Sequence, residues 1–215
     1  MNYDIRKFLT AAERLAIEQR VKSAESGTSG EIVVMAVASS SHYPAVALSG
    51  SGISALTLAI FGMLLLRSEN MWLFLVLFAL LFVVMHELLK RVHLLRRLFA
   101  GRHEMADAVG EAALRTFYAR KVNETSQRAG ILIYISLFEH SVRVMADTGI
   151  DSKTGPQVWK EIVDLVTDGI VRGRQADAIL DAVDRCAVLL RRHFPGREPG
   201  INELGDAVLI GSRND

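Results

Sequence analysis

The chain of 215 residues holds one cysteine, four prolines and no excess of either charge, and each shortage removes a class of protein. A lone thiol, Cys186, can neither close an intramolecular disulfide nor build a thiolate zinc cluster, as expected of a chain facing a reducing compartment. Lys and Arg number 25 against 24 Asp and Glu, so nothing in the total charge calls for a nucleic acid or an acidic polymer as partner. The opening Met1 to Phe8 lacks the apolar core of a signal peptide, and the first hydrophobic run starts too late to be one. The histidines, His42, His86, His93, His103, His140 and His193, never fall four residues apart, so no two are spaced as zinc ligands on one helix face. No Asp-x-Asp pair follows an apolar run, which removes an aspartyl-phosphate route.

What the chain has in excess is hydrophobic residues, half of the total, with a mean hydropathy of +0.25. The excess is concentrated between residues 45 and 99. Ala45 to Leu66 and Met71 to Met85 contain no Asp, Glu, Lys or Arg, and only Arg67, Ser68, Glu69 and Asn70 separate them. A spanning helix needs about 20 mostly apolar residues to cross a hydrocarbon core of roughly 30 Å. The first run reaches that length, and the second does so if His86 to Leu89 carry it into the headgroup region. The pattern predicts a transmembrane helical hairpin; the competing reading, a buried hairpin of a soluble protein, asks core helices to stay apolar on every face.

Lys90, Arg91, Arg96, Arg97 and Arg102 follow the second run, and basic flanks stay cytoplasmic. Two spans return the chain to its starting side, so both termini are expected in the cytoplasm, with the protein in the cytoplasmic (inner) membrane. Leu88, Leu89, Val92, Leu95, Leu98 and Phe99 interleave with the basic residues, which suits either a stretch lying along an anionic leaflet or a plain continuation of the helix. Ala47, Ser51, Ala55 and Ala59 recur every four positions, a stripe open to the second span or to another copy of the chain.

The flanks read as one domain split by the hairpin. Thr10 and Glu13 form a capping-box signature before an amphipathic helix, Ala11 to Ser26, whose apolar positions are Leu15, Ile17, Val21 and Ala24. Glu31 to Ala38 is a Val-rich run of the kind found in strands covered on both faces. About 42 residues bury too little surface to stand alone, so the partners of this strand must come from beyond the hairpin. Residues 104 to 122 look helical, with Met105, Val109, Ala113 and Phe117 on one side, and Ile131 to Phe138 is a second apolar strand, which predicts a parallel pair. The turn Glu139-His140-Ser141 leads to an antiparallel third strand, Val142 to Ala146. Two amphipathic helices complete the domain. Pro156 opens the first, with Val158, Trp159, Ile162, Val163, Val166 and Ile170 facing inward; the second turns Ala176, Ile179, Leu180, Val183, Cys186 and Leu190 to the core. Phe194 to Asp215 reads as a tail in which Ala207 to Ile210 is a candidate edge strand. The expected organisation is therefore a first half-domain at 1–43, a hairpin at 44–89, a basic juxtamembrane helix at 90–102, a second half-domain at 103–194 and a tail at 195–215.

Thr28-Ser29-Gly30-Glu31-Ile32-Val33-Val34, then Gly130-Ile131-Leu132-Ile133, then Arg143-Val144 leading to Asp147-Thr148-Gly149-Ile150, together resemble the TPM domain. The likeness spans residues 8 to 43 and 103 to 194, and the inserted hairpin resembles a membrane-inserted bacterial branch of that family. The resemblance implies an α/β fold with a small mixed sheet flanked by helices. Family members include a chloroplast protein linked to photosystem repair and an accessory protein of an animal receptor, and some are described as acid phosphatases or calcium binders. With strands one and two parallel and three antiparallel, Glu31, Asp147 and the segment from Arg128 to Gly130 fall at one sheet edge. Many members read Asp-Asn-Gly there, which would add a carboxylate suited to calcium. Here Arg128 takes the acid's place, so no metal is expected, with Glu31 and Asp147 only weak candidates; calcium, the one cofactor the resemblance suggests, should bind weakly or not at all. Ligand-binding candidates are Glu31, Arg128, Asp147 and Asp151.

Cys186 and Arg192 have the Cys-x5-Arg spacing of cysteine phosphatases, but the intervening Ala-Val-Leu-Leu-Arg is helical and apolar and offers no loop amides for phosphate. Ser39-Ser40-Ser41-His42 follows the first strand where α/β sheets often bind ligands, although a polar lead-in to the span explains it as simply. The motifs favour a binding or accessory module over catalysis, with the lipid bilayer and another membrane protein as partners and a homo-oligomer open. A metal-dependent phosphatase is the alternative, and a purely structural hairpin oligomer a third reading.

Overall fold

The computed structural model describes residues 5–41, 44–91, 101–125, 127–196 and 209–211. They fall into two compact units, one drawn from residues 42–105 and the other from residues 3–41 and 106–215.

The second unit is built on a sheet of order β3-β2-β1-β4. β1 (Glu31–Val37) and β2 (Gly130–Ser136) are parallel and in register from Glu31↔Gly130 to Val37↔Ser136. β3 (Ser141–Ala146) runs antiparallel to β2, as its short turn requires. β4 (Leu209–Gly211) lies parallel on the other side of β1, so the candidate edge strand near the C-terminus forms, starting two residues and ending one residue later than its sequence suggested.

Both faces of β1 and β2 are covered, which is why their sequences do not alternate. Ile32, Val34, Ala36, Ile131, Ile133 and Ile135 enter one core, and Val33, Met35, Val37, Leu132 and Tyr134 the other. The first core is closed by three helices: α2 (Ala11–Glu25), α7 (Pro156–Val171) and α8 (Gln175–His193). The second is closed by α5 (Arg102–Ala119) through Val109, Ala113 and Phe117. α7 and α8 touch through small residues: a Cβ on Gly169 would lie 2.1 Å from that of Ala178. Two short helices, α1 (Ile5–Phe8) and α6 (Thr148–Asp151), complete the unit.

The capping box forms as its signature predicts, with Thr10 Oγ1 accepting from Glu13 N at 3.3 Å and Glu13 Oε2 accepting from Thr10 N at 2.7 Å. One inward position is overturned: Leu15 is 55% exposed. The buried stripe of α2 is Ile17, Val21 and Ala24, spaced by four and three, and a residue two before Ile17 falls about 200° around the helix. Val158, Trp159, Val163, Ile170 and Leu180 pack at the margin of the core rather than inside it.

The other unit is a helical hairpin of α3 (Pro44–Leu66) and α4 (Met71–Arg91). Its turn is closed by Arg67 at φ 48 and by a bond from Ser68 N to Met63 O, and Asn70 Oδ1 caps α4 by accepting from Trp72 N at 3.0 Å. The helices approach through small residues: a Cβ on Gly62 would lie 3.0 Å from Leu77 Cδ2, and Ser51, Ala55 and Ala59 are fully buried. The small-residue stripe is thus buried in the single chain over these three positions, while the side chain of Ala47 lies outside the described residues. Large apolar side chains point the other way; Leu64, Leu65, Trp72 and Val76 are all at least two-thirds exposed. Both helices are long and apolar enough to cross a membrane.

Candidate functional site

The edge where β1 and β2 begin and β3 ends holds most of the predicted site. Glu31 pairs with Gly130, and the bond from Asp147 N to Gly130 O (2.8 Å) continues the β2–β3 ladder by one residue. Glu31, Gly130 and Asp147 therefore form one cross-strand row on the face shared with Val33, Leu132 and Met145. The glycine between the two acids leaves room for a 3₁₀ turn, Val122–Glu124: a Cβ on Gly130 would lie 2.1 Å from the Val122 carbonyl oxygen. Both acids are buried, Glu31 at 7% and Asp147 at 4% exposure.

Arg128 reaches this row from the preceding loop, where its backbone is left-handed (φ 53) and its carbonyl accepts from Ile150 N at 3.2 Å. Gly149 lets the loops close, because a Cβ there would lie 2.5 Å from the Arg128 carbonyl oxygen. The Arg128 guanidinium stands 4.0 Å from Asp147 Oδ1, which also accepts from Thr148 N at 2.7 Å. Asp147 Oδ2 is buried and receives no hydrogen bond. Asp151 is directed elsewhere, its Oδ1 accepting from Trp159 Nε1 at 3.0 Å, a tie between α6 and α7. The structure thus brings Arg128 and Asp147 together, sets Glu31 across Gly130 in the same row, and turns the Asp151 carboxylate to Trp159.

The calcium that the family resemblance suggests does not fit these residues. Calcium takes six to eight oxygens, usually with several carboxylates among them. Here one carboxylate faces a guanidinium and another holds an indole, and among the described residues no three His, Cys, Asp or Glu side chains gather. The unbonded Asp147 Oδ2 would welcome a cation, and Arg128 is a cation already beside it.

The opposite end of β1 and β2 carries a polar cluster that sequence reasoning missed. Glu139, buried at 7% exposure, accepts from Ser40 N at 3.0 Å, from Ser39 Oγ at 3.1 Å and from Ser136 Oγ. Ser40 Oγ donates to Ser136 Oγ at 2.9 Å and lies 3.2 Å from the Tyr134 hydroxyl. Burial pushes the Tyr134 phenol above its ordinary pKa of 10.0. The serines after β1 are therefore engaged by the sheet itself and read as structure, not as a ligand loop. Their acid partner lies about 100 residues away in sequence, and only the β1–β2 pairing brings them together. Beside it, a cleft of about 410 Å³ is lined by Phe8, Leu137, Val142 and Ile170, with His140 and Thr167 as polar members.

Cys186 is fully buried inside α8, and loss of solvent pushes its thiol up to about 12. A phosphatase cysteine needs the reverse shift and an open phosphate loop, so the Cys186–Arg192 spacing is coincidental. Lys90 and Arg91 end α4 exposed and face Glu87 at 3.6 and 3.9 Å, whereas Arg96 and Arg97 lie outside the described residues.

Residues 90–189 match the family model of the TPM domain. Among solved structures, the chain resembles the NMR structure of BA42 protein from the psychrophilic bacterium Bizionia argentinensis, at 19% identity and a TM-score of 0.59, over 95% of this chain and 96% of that one. At that identity the likeness speaks for the fold. No curated protein gives a match. The matched segment supplies α5, β2, β3, α6, α7 and most of α8, and β1 joins its sheet from the far side of the hairpin. Residues 90–189 of the chain thus form a TPM domain.

Proposed function

We propose that this protein is a membrane-anchored TPM module that binds and assists another membrane protein from the cytoplasmic face, in assembly or envelope maintenance. The observation that carries the reading is the outward face of the hairpin. Large side chains on both helices, from Ile53 and Phe61 to Val76, Leu80 and Val83, are more than half exposed, an apolar surface well beyond what a soluble monomer shows. Lipid is the natural solvent for such a surface, and the hairpin turn is short enough to cross and return.

Two facts of different kinds support the choice of side. β1 precedes the hairpin and β2 follows it, and they pair over seven residues, so the two flanks share one compartment whichever it is. Lys90, Arg91, Arg96 and Arg97 after the second span favour the cytoplasm. Binding is preferred to catalysis because the Cys186 thiol is buried, Ser39 and Ser40 are engaged with Glu139, and Asp147 faces Arg128, so none of these candidates is set up as a nucleophile. The cleft beside β2 and α7 is the place for an apolar group of a partner.

Crosslinking in native membranes followed by mass spectrometry tests the proposal: recurrent links from the sheet unit to one membrane protein support it. A phosphomonoester assay with and without divalent metals, on wild type and Asp147→Asn, tests it from the other side. Turnover that requires metal and disappears in the variant would replace this reading with the phosphatase one.

A further inference from the structure

The row Glu31–Gly130–Asp147 is reached from the preceding loop by a residue whose side chain is unusual for its backbone. Arg128 holds φ 53, a conformation in which Asn, Asp and Gly are the favoured residues. An arginine there gains nothing locally. What it brings is a charge fixed at every accessible pH, carried on a side chain 62% exposed, 4.0 Å from a carboxylate that is only 4% exposed.

Asp147 cannot be left without a counter-charge at little cost. Its Oδ1 is held by Thr148, and its Oδ2 is buried without a donor. A buried carboxylate in that state requires a positive group nearby, supplied by a bound metal or by the chain. The chain before β2 delivers the second: Arg128 N bonds Thr125 O, Ala129 N bonds Thr125 Oγ1, and Ile150 N bonds the Arg128 carbonyl, so the backbone that carries the guanidinium is fixed on both sides.

We infer that Arg128 is the resident counter-ion of Asp147 and makes this sheet edge independent of divalent metal, with calcium excluded by charge and not merely absent for want of a third carboxylate. The guanidinium occupies the approach to Asp147, and a divalent ion drawn to Oδ2 would meet it within a few ångströms. The inference rests on the edge alone and does not depend on membrane insertion or on the proposed partner.

Thermal unfolding of the full chain purified in detergent, measured in chelator and in millimolar calcium or magnesium, tests it. Wild type should unfold at the same temperature in all three. Arg128→Gln, which keeps size and removes charge, should unfold a few degrees lower in chelator, and calcium should recover part of the loss. Arg128→Asp, which suits the backbone and restores a carboxylate, should show the larger calcium-dependent rise, with saturable binding by calorimetry. If Arg128→Asp does not fold, the glutamine variant decides. Saturable stabilisation of wild type by calcium that Asp147→Asn abolishes would overturn the inference. So would glutamine and aspartate variants as stable as wild type in chelator and indifferent to metal.

Discussion

In the sheet unit, most large apolar side chains point inward; in the hairpin most point outward. Ile133, Ile162, Ile179 and Leu190 are fully buried in the first, with charged residues on the outer faces of α2, α7 and α8. In the second, Ser51, Ala55 and Ala59 are inside, while leucines, valines, Phe61 and Trp72 face out. The same residue type therefore does opposite jobs in one chain. A leucine stabilises the sheet unit because water is excluded from it, whereas most leucines on α3 and α4 face outward, where an apolar solvent would suit them.

Substitutions should break this contrast in opposite ways. Ile179→Ala, a deletion in the centre of the sheet unit, is expected to cost about 2–5 kcal/mol by chemical denaturation monitored at Trp159. Next in size, Val76→Arg on the outward face of α4 should lower membrane insertion by roughly 2.5–3.5 kcal/mol, read as the fraction of protein in the membrane pellet. Val188→Arg, at a similarly exposed valine of α8, should change stability by no more than about 0.5 kcal/mol. Enlarging the hairpin interior with Ala59→Leu should cost about 1–3 kcal/mol, detected as earlier loss of helix circular dichroism in a denaturing detergent series.

A smaller effect than the core changes is a pH dependence at the start of α2. Hydrogen bonds from the Thr10 backbone and then from its side chain hold the Glu13 carboxyl below its ordinary 4.5. A carboxyl with a depressed folded pKa contributes stability above its unfolded pKa and loses it as pH falls through the folded one. NMR titration should therefore find Glu13 titrating below 4.5, and Thr10→Ala should move it back toward that value while costing about 1 kcal/mol.

Much of the fold was legible because it rests on local patterns. The unbroken apolar runs of β1 and β2 announce strands covered on both faces, and the length between them announces a parallel pair. Pro156 and Thr10 mark helix starts by known chemistry. Leu15 misled because an apolar residue near an amphipathic stripe looks like part of it until the packing partner fixes the axis. The site was only half legible. Strand directions were enough to place Glu31, Arg128 and Asp147 at one edge, yet the role of Gly130 as the seat of the Val122 turn needs three dimensions. So does the diversion of Asp151 to Trp159. The Glu139 cluster was illegible, since its serines and its acid meet only after the sheet has formed across the hairpin.

The central claim is that the chain crosses a bilayer twice and completes its sheet on one side of it. Single cysteines at Ser23, Ser68 and Ser152, challenged in intact cells with a membrane-impermeant maleimide, test it directly; Cys186, buried and with its thiol at about 12, should stay silent. The account predicts labelling at Ser68 alone, with Ser23 and Ser152 becoming reactive together once the membrane is permeabilised. Labelling of Ser23 and Ser152 from opposite sides, or equal labelling of all three without permeabilisation, would contradict it.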